Sequence, residues 1–265
     1  MDRFDVSPRR SLGQNFVTDP NTVRRIARLA GAGPADHVLE IGAGLGSLTL
    51  ALAETGASVR AVEVDPGLAA ALRTVVAEAG ARSVEVVEGD ASGLDFVEVL
   101  QGSDRWMLVA NLPYNIATPL ILDLLRDVGA IETMVVMVQR EVGERLAARP
   151  GSRSRGIPSV LVERRGTARV VARVPASVFR PQPKVESVVV RIERHAGCVS
   201  PGAPAADARF ELLVRTGFGQ RRKMLRRSLA GLAAPESFAA AGVDPSSRPE
   251  ALTVDEWIGL ARATG

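Results

Sequence analysis

The chain is poor in several residue types, and each shortage excludes something. Aromatic residues make up 4% of its 265 positions, cysteine occurs once, at Cys198, and histidine only at His37 and His195. A single cysteine excludes an intramolecular disulfide, and two histidines beside it leave no ligand set for a Cys/His metal centre. Lysine is scarce, so the 33 cationic side chains are nearly all arginines, the residue suited to bidentate phosphate contacts and base stacking. No apolar run approaches the roughly 18 residues of a membrane span. Residues 1–5 lack the basic-then-apolar layout of a secretory signal. The expectation is a cytoplasmic, monomeric enzyme with no metal and no membrane partner.

What is present is unevenly distributed. Residues 1–150 carry 14 cationic against 20 anionic side chains, whereas residues 151–265 carry 19 against 10. The second part therefore suits a polyanion while the first does other work. Short apolar runs at 38–41, 59–64, 84–87, 107–110, 134–138, 170–174 and 188–192 read as strands. Helical stretches fall between them at 48–53, 68–79, 119–125 and 141–148, an alternation that predicts a parallel sheet covered on both faces. The last two strands are joined by a proline-bearing loop and are expected to add antiparallel at one side. Residues 196–206, rich in Gly, Pro and Ala, read as a linker. Helices are expected at 210–218, 221–232 and 254–263. The expected division is thus a first domain over 1–195, the linker 196–206, and a small helical domain over 207–265.

The chemistry gathers at the strand ends. Glu40-Ile41-Gly42-Ala43-Gly44-Leu45-Gly46 puts glycines where backbone can approach a ligand beside a helix start. The spacing is GxGxG, not the GxGxxG of dinucleotide binders. Glu63, at the end of the next strand, can accept hydrogen bonds from ribose hydroxyls, and Asp90, after the third, can receive an adenine amino group. Ligands in open parallel sheets bind beyond these carboxyl ends. After the fourth strand comes Asn111-Leu112-Pro113-Tyr114. The Asn111 side-chain oxygen and the Leu112 carbonyl can accept from an exocyclic amino group, Pro113 turns the chain out of the sheet, and Tyr114 offers a ring face to a base. Four strand ends used in this way favour S-adenosylmethionine over a nicotinamide dinucleotide. An adenine amino group held in the cradle becomes the methyl acceptor, and the base must be unpaired to reach it. Phe179, in the rigid Phe179-Arg180-Pro181-Gln182-Pro183 loop, is placed to close the other face of that base. Leu12-Gly13-Gln14-Asn15-Phe16-Val17 reads either as a lid over the cofactor or as a simple cap on the sheet. Arg221, Arg222, Lys223, Arg226 and Arg227 surround Met224 and Leu225 on the expected 221–232 helix. There the two apolar residues face the core and the cations face RNA phosphates.

Residues 12–16, 42–46, 111–114, 179–187 and 220–225, with Arg248-Pro249-Glu250, together resemble the small-subunit ribosomal RNA adenine dimethyltransferases, the kasugamycin-sensitivity methyltransferases. The resemblance spans nearly the whole chain. It implies a Rossmann-like class I methyltransferase, α/β with a seven-stranded, mostly parallel sheet, plus a small all-helical C-terminal domain. It implies dimethylation of N6 on two adjacent adenosines in the 3′-terminal hairpin loop of 16S RNA, within an immature small ribosomal subunit. Asn15, Val17, Gly42, Gly44, Glu63, Asp90 and Asn111 would contact the cofactor. Asn111, Leu112 and Tyr114 would hold the adenine, with Phe179 opposite Tyr114. Two departures stand out: Val17 where relatives commonly have leucine, and Arg155-Gly156-Ile157-Pro158 where they often show Tyr-Gly-x-Leu. The alternatives are a resistance-type dimethylase acting on 23S RNA and a non-catalytic RNA-binding assembly factor. The Gln220–Lys223 and Arg248–Glu250 segments weigh against the first, and the intact acids and glycines against the second.

Overall fold

The computed structural model describes residues 15–197 and 204–265; the predicted lid residues 12–14 and Cys198 lie outside them. The chain divides into two compact units. One comprises the residues up to Gly143 with Ala168–Arg194, the other Glu144–Thr167 with His195–Gly265.

The first unit is built on β1 (Phe16–Val17), α1 (Pro20–Ala30), β2 (His37–Ile41), α2 (Ser47–Ala53), β3 (Ser58–Glu63), α3 (Pro66–Glu78), β4 (Val84–Glu88), α4 (Phe96–Val99), β5 (Trp106–Asn111), α5 (Ala117–Asp127) and β6 (Ile131–Gln139). At its end come α6 (Arg140–Leu146), β7 (Gly166–Val174), β8 (Phe179–Arg180) and β9 (Ser187–Arg194). The sheet has seven strands in the order β4-β3-β2-β5-β6-β9-β7. The first five run parallel and β9 joins β6 antiparallel, with Met134 opposite Ile192. Central strands such as Val109 and Ala110 on β5 or Val135–Val138 on β6 are buried on both faces, which is why they read as unbroken apolar runs. Helix starts are chemically fixed. The Asp19 carboxylate accepts from Asn21 and Thr22 N–H ahead of Pro20, and that of Asp65 from Gly67 and Leu68 N–H ahead of Pro66, each satisfying orphan donors of the first turn.

All seven sheet strands fall where the apolar runs put them. A separate two-stranded ribbon, in which β1 pairs antiparallel with β8 (Phe16 opposite Arg180, Val17 opposite Phe179), was not anticipated. Two-residue strands carry no periodicity to find.

The second unit contains α7 (Ile157–Arg165), α8 (Pro204–Gly219), α9 (Leu225–Ser228), α10 (Pro235–Ala240) and α11 (Val254–Ala263). Phe210, Leu213, Val214, Leu225, Leu229, Phe238, Trp257 and Leu260 are among its buried side chains, and the Phe218 and Trp257 rings stack with centroids 6.2 Å apart. Glu144–Thr167, placed with the first domain on sequence, group here because α7 packs on α8 and α11 and Arg165 pairs with Asp207 at 2.9 Å.

The expected helix over 221–232 is corrected. Gln220 and Lys223 N–H close turns on Gly217 and Gln220 carbonyls, while Leu225 and Arg226 N–H donate to the carbonyls of Ser247 and Pro245. Those donors are drawn away from a helical ladder, Met224 is extended (φ −64°, ψ 149°), and only Leu225–Ser228 is helical. Leu225 is buried, but Met224 is 41% exposed rather than facing the core.

Arg155, at the second departure from the family pattern, is fully buried. Its guanidinium donates to the carbonyls of Ala148 (3.1 Å) and Leu252 (2.9 Å) and lies 2.7 Å from the Glu163 carboxylate. It pins three segments of the unit together and is unavailable for RNA.

Candidate functional site

Beyond Ile41 the chain turns back toward β3, with Gly42 and Ala43 N–H both donating to the Val62 carbonyl. Gly44 then adopts φ +58°, and a Cβ there would lie 2.8 Å from the Phe16 ring, so only glycine serves both constraints. The Gly44 N–H donates to Glu63 Oε2 at 2.8 Å, and Glu63 Oε1 accepts from Asp65 N–H at 3.0 Å. Glu63 is 4% exposed. Its carboxylate thus ties the glycine turn to the end of β3, with both oxygens presented at the strand tips.

On the other side, the Asn111 side-chain Nδ2 donates to the Asn15 carbonyl at 2.9 Å. A carbonyl only accepts, so the amide orientation is dictated and Oδ1 is turned the other way. Leu112 is buried, its N–H donating to Met137. Half-buried Tyr114 shares a 2.8 Å hydrogen bond with Ser187. Burial raises the Tyr114 phenol above its ordinary range, and the Ser187 hydroxyl opposes this.

Asn15, Gly42, Gly44, Glu63, Asn111, Leu112 and Tyr114 line a single cavity of about 60 Å³. The Phe16 ring also lines it, against Gly44, and a nucleoside-sized ligand requires that ring to move aside. Val17 lines an adjoining cavity of about 30 Å³ with Glu40, Gly42 and Asn111. Asp90 lies apart from both linings: it is exposed, and its carboxylate accepts from the Ser92 N–H at 2.9 Å. Phe179 departs from expectation. It is 1% exposed and packs in the core with Val17, Ile26, Val174 and Val189, drawn there because β8 pairs with β1, so its ring faces neither cavity. A larger groove of about 840 Å³ between α4 and α5 shares no residue with the cradle.

Glu40 is a site residue that sequence reasoning missed. It is 2% exposed and accepts from the Thr49 hydroxyl at 2.6 Å. Burial pushes its carboxyl up to about 8, Thr49 pulls it down, and nearby Glu63 raises it further. Its place just before the glycines was the only signal. Among the described residues no group of three or more His, Cys, Asp or Glu is placed to hold a metal ion, and no helix is long and apolar enough to cross a membrane.

In the second unit the basic cluster divides. Arg222, Lys223, Arg226 and Arg227 are exposed. Arg221 is half-buried, donating to the Arg153 carbonyl at 2.9 Å and lying 3.5 Å from Glu250. It holds the 149–154 loop as much as it faces solvent.

Residues 6–263 match the family model described as ribosomal RNA adenine dimethylase. The chain is 45% identical to ribosomal RNA small subunit methyltransferase A of Bifidobacterium adolescentis, covering 97% of this chain and 89% of that one. It is 46% identical to the protein of the same name from Nocardia farcinica, covering 98% and 91%. Among solved structures it resembles the 23S rRNA methyltransferase ErmE, with 27% identity, TM-score 0.72, and 94% and 99% covered. The likeness to a dimethyladenosine transferase from Plasmodium falciparum, at 23% identity and TM-score 0.76 over 92% and 95%, extends to the fold. With a match across nearly its full length, the chain belongs to the ribosomal RNA adenine dimethylase family.

Proposed function

We propose that the protein dimethylates N6 of two adjacent adenosines in the 3′-terminal hairpin loop of 16S RNA, on an immature small ribosomal subunit in the cytoplasm. S-adenosylmethionine, when bound, supplies the methyl group as a sulfonium electrophile, so the protein's task is alignment rather than strong base catalysis. The cradle fits such a group chemically. Glu63 presents a carboxylate suited to ribose hydroxyls, Asn15, Gly42, Gly44 and Asn111 line the same cavity, and Val17 lines the adjoining one with Gly42 and Asn111. Asp90 is assigned to the adenine amino group of the cofactor from its strand-end position.

The single observation that carries the reading is the Asn111–Asn15 hydrogen bond. It leaves Asn111 Oδ1 as the acceptor offered to a target amino group, alongside the Leu112 carbonyl. Acceptors on the N6 hydrogens favour localisation of the nitrogen lone pair and tighten as positive charge grows there, which is differential transition-state binding. Tyr114 supplies the stacking wall. Phe179 can serve as the opposite wall only if β8 moves. The helical unit holds the RNA through Arg222, Lys223, Arg226 and Arg227, with Arg221 organising the turn beneath them.

The deciding experiment is mass spectrometry of immature small-subunit RNA after incubation with the protein and labelled S-adenosylmethionine. Two doubly labelled adjacent adenosines are expected, and an unlabelled 16S RNA would overturn the proposal. The likeness to a 23S enzyme makes one alternative concrete. Primer extension on both ribosomal RNAs from a deletion strain separates the two, since loss of a 23S signal alone would transfer the assignment.

A further inference from the structure

Ser187 begins β9 on a rigid footing. It pairs with Gln139 across the sheet, the Arg140 N–H donates to the preceding Glu186 carbonyl at 2.9 Å, and Ser187 itself is fully buried. Its hydroxyl makes one side-chain hydrogen bond, the 2.8 Å contact with the Tyr114 hydroxyl, and this is also the only side-chain bond of Tyr114 among the described residues. Tyr114 sits on the connection between β5 and α5, where Pro113 lacks an N–H and the carbonyl of Pro113 accepts from Ile116 and Ala117. Its backbone is thus set by the turn, but nothing in that turn fixes the far end of the ring.

We infer that Ser187 is a positioning residue for methyl transfer: by holding the Tyr114 hydroxyl from the sheet, it fixes the plane against which the target base stacks. This rests on the reading of Tyr114 as the stacking wall. A phenylalanine at position 114 would give the same ring face with its tip unrestrained. A tyrosine tethered to a strand residue is locked in tilt, and alignment of the target nitrogen with the methyl donor depends on that tilt. Because the tether is a single neutral hydrogen bond, its loss is expected to cost roughly two- to tenfold in rate, not to abolish activity.

The test uses the full-length protein with immature small subunits for kinetics, and a hairpin RNA bearing 2-aminopurine at the target position, whose emission falls on stacking. Ser187→Ala and Tyr114→Phe remove the tether from opposite sides. Each is expected to lower kcat/KM by a similar factor, mainly through kcat, and to alter the bound 2-aminopurine emission, with cofactor affinity unchanged. The double variant is expected to fall no further than either single one. Independent losses that multiply in the double variant would overturn the inference, as would wild-type kcat and emission in Ser187→Ala. If Ser187→Ala fails to fold, Tyr114→Phe decides alone: wild-type kinetics and emission there refute the tether. Tyr114→Ala separates the two levels. Wild-type kcat/KM in that variant removes the stacking reading itself, whereas its inactivity together with a silent Tyr114→Phe removes only the role of Ser187.

Discussion

The Asn111 side-chain amide donates to the Asn15 carbonyl across a sequence separation of 96 residues. This bond places the end of β5 and the start of the described chain on one cavity, and it settles which way the Asn111 oxygen turns. Replacing Asn111 with alanine removes both the acceptor and the anchor. We expect methyl transfer to drop by at least about 100-fold while RNA binding stays near wild type. A filter-binding assay paired with single-turnover methylation measures both, and unimpaired transfer would refute the cradle mechanism.

Gly44 carries a second prediction. With φ +58° and the Phe16 ring 2.8 Å from a would-be Cβ, Gly44→Ala strains the turn by about 1–3 kcal/mol and shifts the N–H that meets Glu63. Cofactor affinity measured by calorimetry should fall, with RNA affinity unaffected. Equal cofactor affinity in the variant would separate the glycine turn from binding.

Glu40 makes stability depend on pH. Its carboxyl, ordinarily near 4.5, is pushed up to about 8 by burial in the folded protein. Between those values the folded state keeps a proton that the unfolded chain has released. Stability from this group is therefore full below about pH 4.5 and is lost as pH rises through 8. Glu40→Gln cannot titrate, so its unfolding free energy should fall less from pH 5 to 8 than that of the wild type, by on the order of a few kcal/mol. Denaturant midpoints at pH 5, 6.5 and 8 test this; parallel slopes would show that Glu40 is not the group responsible.

The basic turn should behave as two parts. Arg222→Gln with Lys223→Gln removes exposed cations, weakening RNA binding and lowering the salt slope by about one for each phosphate no longer neutralised. Arg221→Gln also releases the Arg153 carbonyl and Glu250, so it should lower the thermal midpoint as well. A salt slope identical to wild type in the double variant would leave these residues as a solvated face.

Arg155 is a stability hub. Arg155→Leu leaves the carbonyls of Ala148 and Leu252 without their shared donor and the partly exposed Glu163 without its ion-pair partner. A destabilisation of roughly 2–3 kcal/mol is expected, read as a lower unfolding midpoint. An unchanged midpoint would mean that water replaces the guanidinium.

Much of this protein is readable in its sequence. The central strands, buried on both faces, must be apolar throughout and so announced themselves; the partly exposed edge strands β4 and β7 showed only as short apolar runs. Gly42, Gly44, Glu63 and Asn111 were legible as neighbours because strand ends are local in sequence, and they share one cavity lining; Asp90, expected beside them, is exposed and lies apart from it. Local chemistry also starts α1, where the Asp19 carboxylate caps the first turn ahead of Pro20. The rest depended on partners far along the chain. Phe179 looked like a base-stacking residue until its pairing with Val17 buried it. Arg221 to Leu232 had the composition of a helix until the 245–247 carbonyls claimed the donors of Leu225 and Arg226. Glu40, Ser187 and Arg155 lay in or beside recognisable segments, but nothing local gave their roles, which arise from burial and from hydrogen bonds to residues elsewhere in the chain. The sequence alone determined the strands of the main sheet and where their polar ends lie, because those follow from apolar runs and local chemistry. Only the tertiary structure decided which side chains meet there, because long-range packing and competition for hydrogen-bond partners are not encoded in any local window.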